Sequence, residues 1–254
     1  MRIPLLVALL YIVTVNAQNN AIGNGEKLTY TASYNMSGIL TDLAQITMET
    51  SEVKTSSATL LRLKCTAATY SKWDNFFKIR DLYESYVNPK TLTPYLYKRD
   101  INEGDYYKNV KYTFNHKTNT VKSQLKKKNN FEENKSIPIS LGTKDVVSTL
   151  YSIRLMDYKN MNSGQQKSFT IIFDSAEIKG QITFLGQETI ATAIGKKLCY
   201  KIAITTNNKK ALQGLNSNFL WLTADENKIP VYGKFKIPVG NGELKIKSAS
   251  GLKN

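Results

Sequence analysis

The side chains that most often carry catalysis are scarce in this sequence. His116 is the only histidine, and it lies in a polar stretch typical of a hairpin tip, without a glycine-framed nucleophile elbow anywhere in the chain. We therefore interpret it as an exposed turn residue. Cys65 and Cys199 both lie within apolar strand patterns, which does not favour a Cys-His nucleophile. One histidine and two cysteines also fail to supply the usual zinc ligand sets.

Two carboxylates, Asp81 and Glu84, stand among aromatic residues, as the acids of a sugar-cleaving site often do. A glycosidase needs two such acids roughly 5 to 9.5 Å apart across a cleft. Residues three apart on a strand project to opposite faces, so these two cannot form that pair with each other. Arg80 is available to neutralise one of them across strands. We expect a structural ion pair here, a protein that is not an enzyme, and no cofactor or metal.

The first residues predict export. Residues 1–17 combine the positive charge of Arg2, an apolar stretch from Leu5 to Val13 and short side chains up to Ala17, which is the pattern of a cleavable signal peptide. The apolar stretch is about half the length that a membrane crossing requires. We predict cleavage near Ala17 and a mature chain, residues 18–254, that is periplasmic or otherwise secreted.

The chain is strongly basic, with a formal net charge of +15. An exported basic protein meets anionic lipid headgroups and acidic glycans rather than nucleic acid, and a solvated basic surface without a specific partner is the alternative. An oxidising compartment would permit Cys65 and Cys199 to form a disulfide. A small buried hydrophobe is the commoner use of a lone cysteine in an apolar strand, so both interpretations stay open.

Alternation of apolar and polar residues predicts strands along most of the mature chain. The first strand continues into a second through a hairpin around Ser37-Gly38. Residues 128–142 lack any period, which predicts an exposed loop. About 12 strands and one substantial helix result, and short connections favour antiparallel pairing. The apolar face of the first strand consists of Leu28, Tyr30, Ala32, Tyr34 and Met36.

The helix is predicted over residues 145–157, with Asp145 or Thr143 as its cap and apolar residues recurring at three and four positions. It should lie on the sheet and close one end of the core. A twisted sheet of so many strands must curl, split or close. We therefore predict a mainly β fold in a single domain, residues 18–254: one curved antiparallel sheet that forms a half-barrel or incomplete barrel.

An aromatic segment at residues 70–77 interrupts the strand rhythm. It is predicted to be a single helical turn or an irregular crossover, and a helical turn would point Trp73, Phe76 and Phe77 in one direction. Three large aromatic side chains so close together need cover from the core, a groove or a partner. We expect the segment to lie against the sheet and to border any ligand site, with core packing as the simpler outcome.

Five segments of this chain carry a resemblance to a known family: residues 25–30, 73–77 running into 80–86, 91–94, 112–116, and 221–223 with 225–231. In this order they resemble an exported bacterial family that is catalogued only as domain of unknown function 3108, which implies compartment and architecture but no activity. The closing segment, from the strand with Trp221 through Ile229-Pro230-Val231 to Gly240-Asn241-Gly242, also resembles Lol-type lipoprotein carriers and related periplasmic half-barrels. That second resemblance implies a concave sheet that shelters acyl chains under a helical lid.

The most favoured function is an exported, non-enzymatic binding or carrier protein with an apolar concavity for a lipid or other amphiphile. The alternative is a structural or interaction protein of the cell envelope that places a basic surface on acidic glycans or an anionic membrane. Salt should weaken binding strongly in the second case. The candidate ligand-binding residues are Trp73, Phe76, Phe77, Tyr83, Tyr97 and Trp221.

Overall fold

The computed structural model describes residues 18–36, 39–208, 217–237 and 240–254, so the predicted signal peptide and the Ser37-Gly38 turn lie outside the described residues. Within these ranges fourteen strands form one open antiparallel sheet, which confirms the predicted mainly β class with slightly more strands than expected. The strands are β1 Lys27–Met36, β2 Ile39–Lys54, β3 Thr59–Thr69, β4 Arg80–Val87, β5 Pro94–Glu103, β6 Tyr106–Asn115, β7 Thr120–Lys127, β8 Phe131–Pro138, β9 Gln166–Phe173, β10 Ala176–Thr192, β11 Gly195–Thr206, β12 Phe219–Thr223, β13 Pro230–Ile237 and β14 Gly240–Ser250.

Two meanders build this sheet. Strands β1 to β8 follow one another on one side, β9 to β14 follow one another on the other, and β1 pairs with β14 where they meet. The first pairing runs from Lys27 opposite Ser250 to Tyr34 opposite Gly242. The predicted hairpin is confirmed, since β1 and β2 pair antiparallel up to Met36 opposite Ile39. Short connections between neighbouring strands explain this order.

Strand β8 corrects the prediction of an exposed loop over residues 128–142. It pairs with β7 along its whole length and forms one edge of the sheet. Most of its side chains are exposed on both faces, so the alternation that marks a half-buried strand is missing. Charged residues are common on such edges. The Lys126 ammonium lies 2.6 Å from the Glu132 carboxylate across the two strands.

The one α-helix of the described residues, α1, spans Val146–Ile153, which is shorter than the predicted 145–157. Asp145 caps it as predicted: the Ser148 amide donates to its carboxylate at 2.8 Å. After Ile153 the next backbone amides each donate to the carbonyl three residues earlier, as in a 3₁₀ turn. The first of these hydrogen bonds runs from the Arg154 amide to the Tyr151 carbonyl at 3.1 Å. Of the helices in the described ranges, none has the length and apolar character needed to cross a bilayer.

Helix α1 and the turn after it fill the space between the two halves of the sheet. The helix contacts β3, β4 and β9. Val147 and Tyr151 join a buried cluster built mainly from the first strands, whereas Ile153 and Tyr158 join a second cluster with β10 to β12. The helix therefore lies on the sheet as predicted, and it occupies the interior as part of the core.

Side chains hold the curled sheet together where backbone pairing stops. The turn between β9 and β10 lies against β5 to β7: the Asp174 carboxylate pairs with Arg99 and lies 2.7 Å from the Lys108 ammonium. The Ser175 amide donates to the Tyr112 hydroxyl at 2.9 Å. Asp174 and Ser175 both have positive φ, as a two-residue hairpin turn of the favoured twist requires. The predicted incomplete barrel is thus an open curled sheet in which side chains tie the β9–β10 turn to β5 and β6.

Candidate functional site

Asp81 and Glu84 lie on opposite faces of β4, as the strand geometry predicts. Glu84 forms an ion pair with Arg62 on the neighbouring strand. The proposed role of Arg80 is wrong, because its guanidinium lies 2.6 Å from the carboxylate of Asp74. Arg80 begins β4, and Asp74 stands in the turn just before it, so the short connection brings these two together. The expected structural ion pair exists with different partners.

Asp81 has a carboxyl neighbour that the sequence did not indicate, Glu103 at the end of β5. Burial raises the pKa of both carboxyls, and the hydrogen bond between them lowers the pKa of Asp81 while raising that of Glu103. The Asn102 amide also donates to Asp81 at 2.9 Å. This pair could share a proton. Asp81 is buried in the protein, however, so its carboxyl is enclosed by the sheet and not presented to a substrate.

The remaining candidates for chemistry are also structural. His116 is half-buried rather than exposed, which corrects the prediction: its Nε2 donates to the Pro94 carbonyl at 2.6 Å. Both cysteines are free, Cys199 within the core and Cys65 packed against it. Burial raises the pKa of the Cys65 thiol to about 12 and that of Cys199 to about 11, so neither is a nucleophile at neutral pH. Among the described residues no cluster of His, Cys, Asp and Glu is arranged to hold a metal ion.

An open groove of about 610 Å³ lies where the far end of β10 reaches across to β1, β13 and β14. The accessible apolar wall consists of Ile190 and Ala191 of β10 and Ala193 in the turn after it, and Val231 of β13 and Ile246 of β14 form the base. Val231 and Ile246 are buried, which gives this wall a rigid base. Lys245 and Lys247 stand at the same wall with exposed side chains. The groove thus combines an apolar surface with positive charge.

An aromatic cluster adjoins this groove through Tyr232, which lines it. The rings of Trp221 and Tyr232 are 4.8 Å apart between centroids, and Phe219 lies 6.0 Å from Trp221. The Lys201 ammonium lies 5.1 Å from the Trp221 ring, a cation–π distance. The indole N–H donates to Glu188 of β10, and this hydrogen bond is the main cause of the lowered pKa of that carboxyl. The cluster ties β10 to β12 and so fixes the groove's shape.

Charges at the groove are only partly neutralised. The Lys245 ammonium lies 3.0 Å from the Glu243 carboxylate. Burial acts to raise the pKa of Glu243, but hydrogen bonds from Lys245 and Tyr232 outweigh it and the pKa is lowered. Lys247 has no carboxylate within ion-pair distance among the described residues. An anionic group at this end of the groove would therefore meet an ammonium that no carboxylate in this part of the chain neutralises.

The aromatic segment forms the predicted helical turn, a 3₁₀ turn over Ser71–Trp73, and it lies beside the groove. The half-buried Trp73 donates from Nε1 to the carbonyl of Asp42, a residue that lines the groove, at 2.8 Å. Core packing is wrong for the other two rings, because Phe76 is 81% exposed and Phe77 52% exposed. Both their amides bond to the Trp73 carbonyl, which closes the turn and directs the rings outward.

The other predicted site residues divide between two places. Tyr97 is buried and stacks on Tyr112, with 5.6 Å between the rings, and the partly buried Tyr83 belongs to the same core. Trp221 adjoins the groove through Tyr232. Trp73 and Trp221 each contact one residue that lines the groove but do not line it themselves, and Tyr83 and Tyr97 lie in the interior. The groove residues of β10 and β14 were not predicted, since their strand patterns carry no sign that the two strands meet.

The position of Trp73 sets its expected energetic contribution. We expect Trp73→Ala to lower the free energy of unfolding by about 1–2 kcal/mol, because one hydrogen bond and a half-buried ring are lost. Urea denaturation of the purified protein measures this. A loss of about 3–5 kcal/mol, typical of a fully buried tryptophan, would show that the ring is part of the core after all.

One solved structure of another protein shares this architecture. A β-barrel-like protein of the domain of unknown function DUF1849 from Brucella abortus superimposes with a TM-score of 0.60 at 8% identity, over 89% of this chain and 97% of that one. A protein with a YmcC-like fold from Bacteroides fragilis gives 0.37 at 10% identity, over 90% and 96%. No curated protein matches this chain. The first likeness shows a shared fold, and the second is too distant to support an argument.

The family resemblance noted in the sequence is confirmed by a family model. The model matches residues 29–247, which include all fourteen strands in part or in full and the helix. The aromatic segment and the groove residues described above also lie within this range. The chain therefore belongs to the family described as Protein of unknown function (DUF3108).

Proposed function

We propose that this protein is an exported, non-enzymatic binding or carrier protein whose groove holds the apolar part of an anionic amphiphile. One observation carries the proposal: a groove with an aliphatic wall and two exposed lysines at that wall. Its volume, about 610 Å³, falls within the range of roughly 300–1,000 Å³ that is usual for small-molecule sites. The signal-peptide pattern of residues 1–17 supports export.

The walls of the groove favour an acyl chain. Each buried methylene contributes roughly 0.8 kcal/mol, so a few methylenes against Ile190, Ala191 and Ala193 suffice for useful affinity. Lys245 and Lys247 would face the headgroup, and the ammonium of Lys247, unpaired within the described residues, favours a negative charge there. An anionic amphiphile can contact the apolar wall with its chain and the lysines with its headgroup, whereas a purely polar solute can contact only the lysines.

The sequence predicts a ligand within the apolar concavity of the curled sheet, but that space is already filled by the protein. Helix α1 fills the interior of the curled sheet, so the inner face is core. We therefore place the ligand in the groove beside β10, and α1 acts as a core element rather than as a lid. The end of β10 at Ile190 to Ala193 covers one side of the groove and is the element that ligand entry would have to pass.

Gentle purification from an exporting host, native mass spectrometry and solvent extraction test the proposal. We expect the folded protein to carry a stoichiometric amphiphile that solvent removes, and the mass difference should match the extracted lipid. A homogeneous protein without bound amphiphile, which also fails to take up a fluorescent fatty acid, would refute the carrier function.

Filling the groove gives a sharper test. Ala191 is an exposed residue on the β10 wall, and we expect Ala191→Trp to occupy the space with an indole. The amphiphile content of each folded molecule should fall roughly tenfold, equivalent to about 1.4 kcal/mol of binding free energy. Ala58→Trp in the β2–β3 turn, also exposed, is the matched control and should retain the wild-type content. Equal ligand content in both variants would exclude this groove.

A further inference from the structure

The first eight strands leave four of their connections at one end of the sheet. Because β1 to β8 run antiparallel in chain order, the β1–β2, β3–β4, β5–β6 and β7–β8 connections all lie at that end. We call the described residues in and next to these four connections the rim, which leaves out Ser37 and Gly38. Large hydrophobic side chains are exposed at every one of them: Ile39, Leu40, Phe76, Phe77, Tyr106, Tyr107 and Phe131.

Contacts between neighbouring connections make the rim continuous. Trp73 donates to the Asp42 carbonyl at 2.8 Å and so joins the second connection to the first residues of β2, beside Ile39 and Leu40. The Gly104 amide donates to the Lys78 carbonyl at 2.8 Å and joins the third to the second. The Lys128 ammonium lies 3.2 Å from Asp105 and joins the fourth to the third. The exposed rings therefore belong to one connected edge.

Basic residues accompany the apolar ones. Lys126 and Lys128 are paired with Glu132 and Asp105. Lys72 and Lys127 lie over aromatic rings of the rim, 5.5 Å from that of Trp73 and 5.3 Å from that of Phe131. Neither of these two, nor Lys78, has a carboxylate within ion-pair distance among the described residues. Three ammonium groups of the rim are therefore available to an external anionic group.

We propose that the rim is the surface by which the protein docks on an anionic phospholipid bilayer. Exposed aromatic and aliphatic side chains at strand ends can enter the boundary between headgroups and acyl chains. Tyrosine is enriched at that depth, and lysine stems can lie along the apolar surface with their ammonium groups among the headgroups. The three unpaired ammonium groups of Lys72, Lys78 and Lys127 complement the charge of an anionic leaflet. A soluble protein partner would not need this combination at four successive connections.

Binding to vesicles tests the surface. The purified exported protein is mixed with vesicles of phosphatidylglycerol and phosphatidylcholine, and the bound fraction is measured by sedimentation. We expect F76S/F77S to lower the partition constant about tenfold or more, because two exposed rings no longer enter the bilayer. The unfolding midpoint should not change, since both rings lie largely in solvent. Lys72→Gln and Lys78→Gln should each lower binding about fivefold at low salt.

Control variants distinguish the rim from the rest of the protein surface. Tyr95 and Leu141 are exposed at the other end of the same strands, and Y95S/L141S should bind vesicles like the wild type. Ala191→Trp should also bind vesicles normally, so this experiment tests docking independently of ligand binding in the groove. Undiminished binding by F76S/F77S, or equal loss in Y95S/L141S, would overturn the proposal. So would wild-type protein that binds a soluble acidic polysaccharide in preference to the vesicles.

Discussion

Arg154→Met is expected to lower the free energy of unfolding by about 3–5 kcal/mol, one of the largest losses that a single substitution can cause in this protein. Arg154 and Glu26 form a bidentate pair, at 2.6 and 2.7 Å, and both side chains are fully buried. Arg154 also donates to the Asn227 carbonyl at 3.0 Å. Methionine removes the cation but leaves the Glu26 carboxylate in the interior without its counter-charge.

A second substitution separates charge from packing. Glu26→Leu in the Arg154→Met background removes the stranded carboxylate, and we expect it to restore a large part of the lost stability, since apolar replacements of buried ion pairs are often tolerated. If the double variant is no more stable than Arg154→Met alone, the contribution of Arg154 comes from its contacts with backbone carbonyls and not from the ion pair.

Trp221→Ala is the second substitution with a large expected effect, a loss of about 3–5 kcal/mol. The indole is only 6% exposed, packs on Tyr232 and Phe219, and donates to Glu188. Alanine would leave a cavity between β10 and the strands beneath it. The measurement is again urea denaturation, and the loss should exceed that of Trp73→Ala by about 2 kcal/mol.

Trp221→Phe is the matched control for that prediction. It keeps an aromatic ring in the cluster and removes only the N–H donor, so the loss should be about 1–2 kcal/mol. The pKa of the Glu188 carboxyl should then rise towards its ordinary value, because the hydrogen bond from the indole is the main cause of its depression. A titration followed by NMR would detect this shift. Equal losses in the alanine and phenylalanine variants would show that packing contributes little here.

Groove and rim together suggest how a carrier of this architecture would work. The Trp73 turn belongs to both, since its indole bonds to Asp42, which lines the groove, while Phe76 and Phe77 extend from the same turn into solvent. A protein that docks by these rings would hold its groove close to the membrane surface. Exchange of an amphiphile between bilayer and groove would then need no passage through open solvent.

Local patterns in the sequence predicted the elements of this protein. Alternating residues such as Leu28 and Tyr30 mark a strand because neighbouring side chains point to opposite faces whatever the partner strand is. The Asp145 cap is equally local, since its carboxylate meets an amide three residues away. The opposite orientations of Asp81 and Glu84 follow from the same strand geometry. Edge strand β8 escaped prediction because it has no buried face to impose alternation.

Only the tertiary structure decided which of these elements meet. Glu26 and Arg154 are 128 residues apart, and the local sequence around neither residue predicts that they form an ion pair. The groove exists because β10 is long enough to cross towards β14, and the exposure of Phe76 and Phe77 follows from how the Trp73 turn closes. A pattern along the chain reports which face of an element is apolar. What covers that face depends on contacts between distant segments, and those form only when the whole sheet curls around α1.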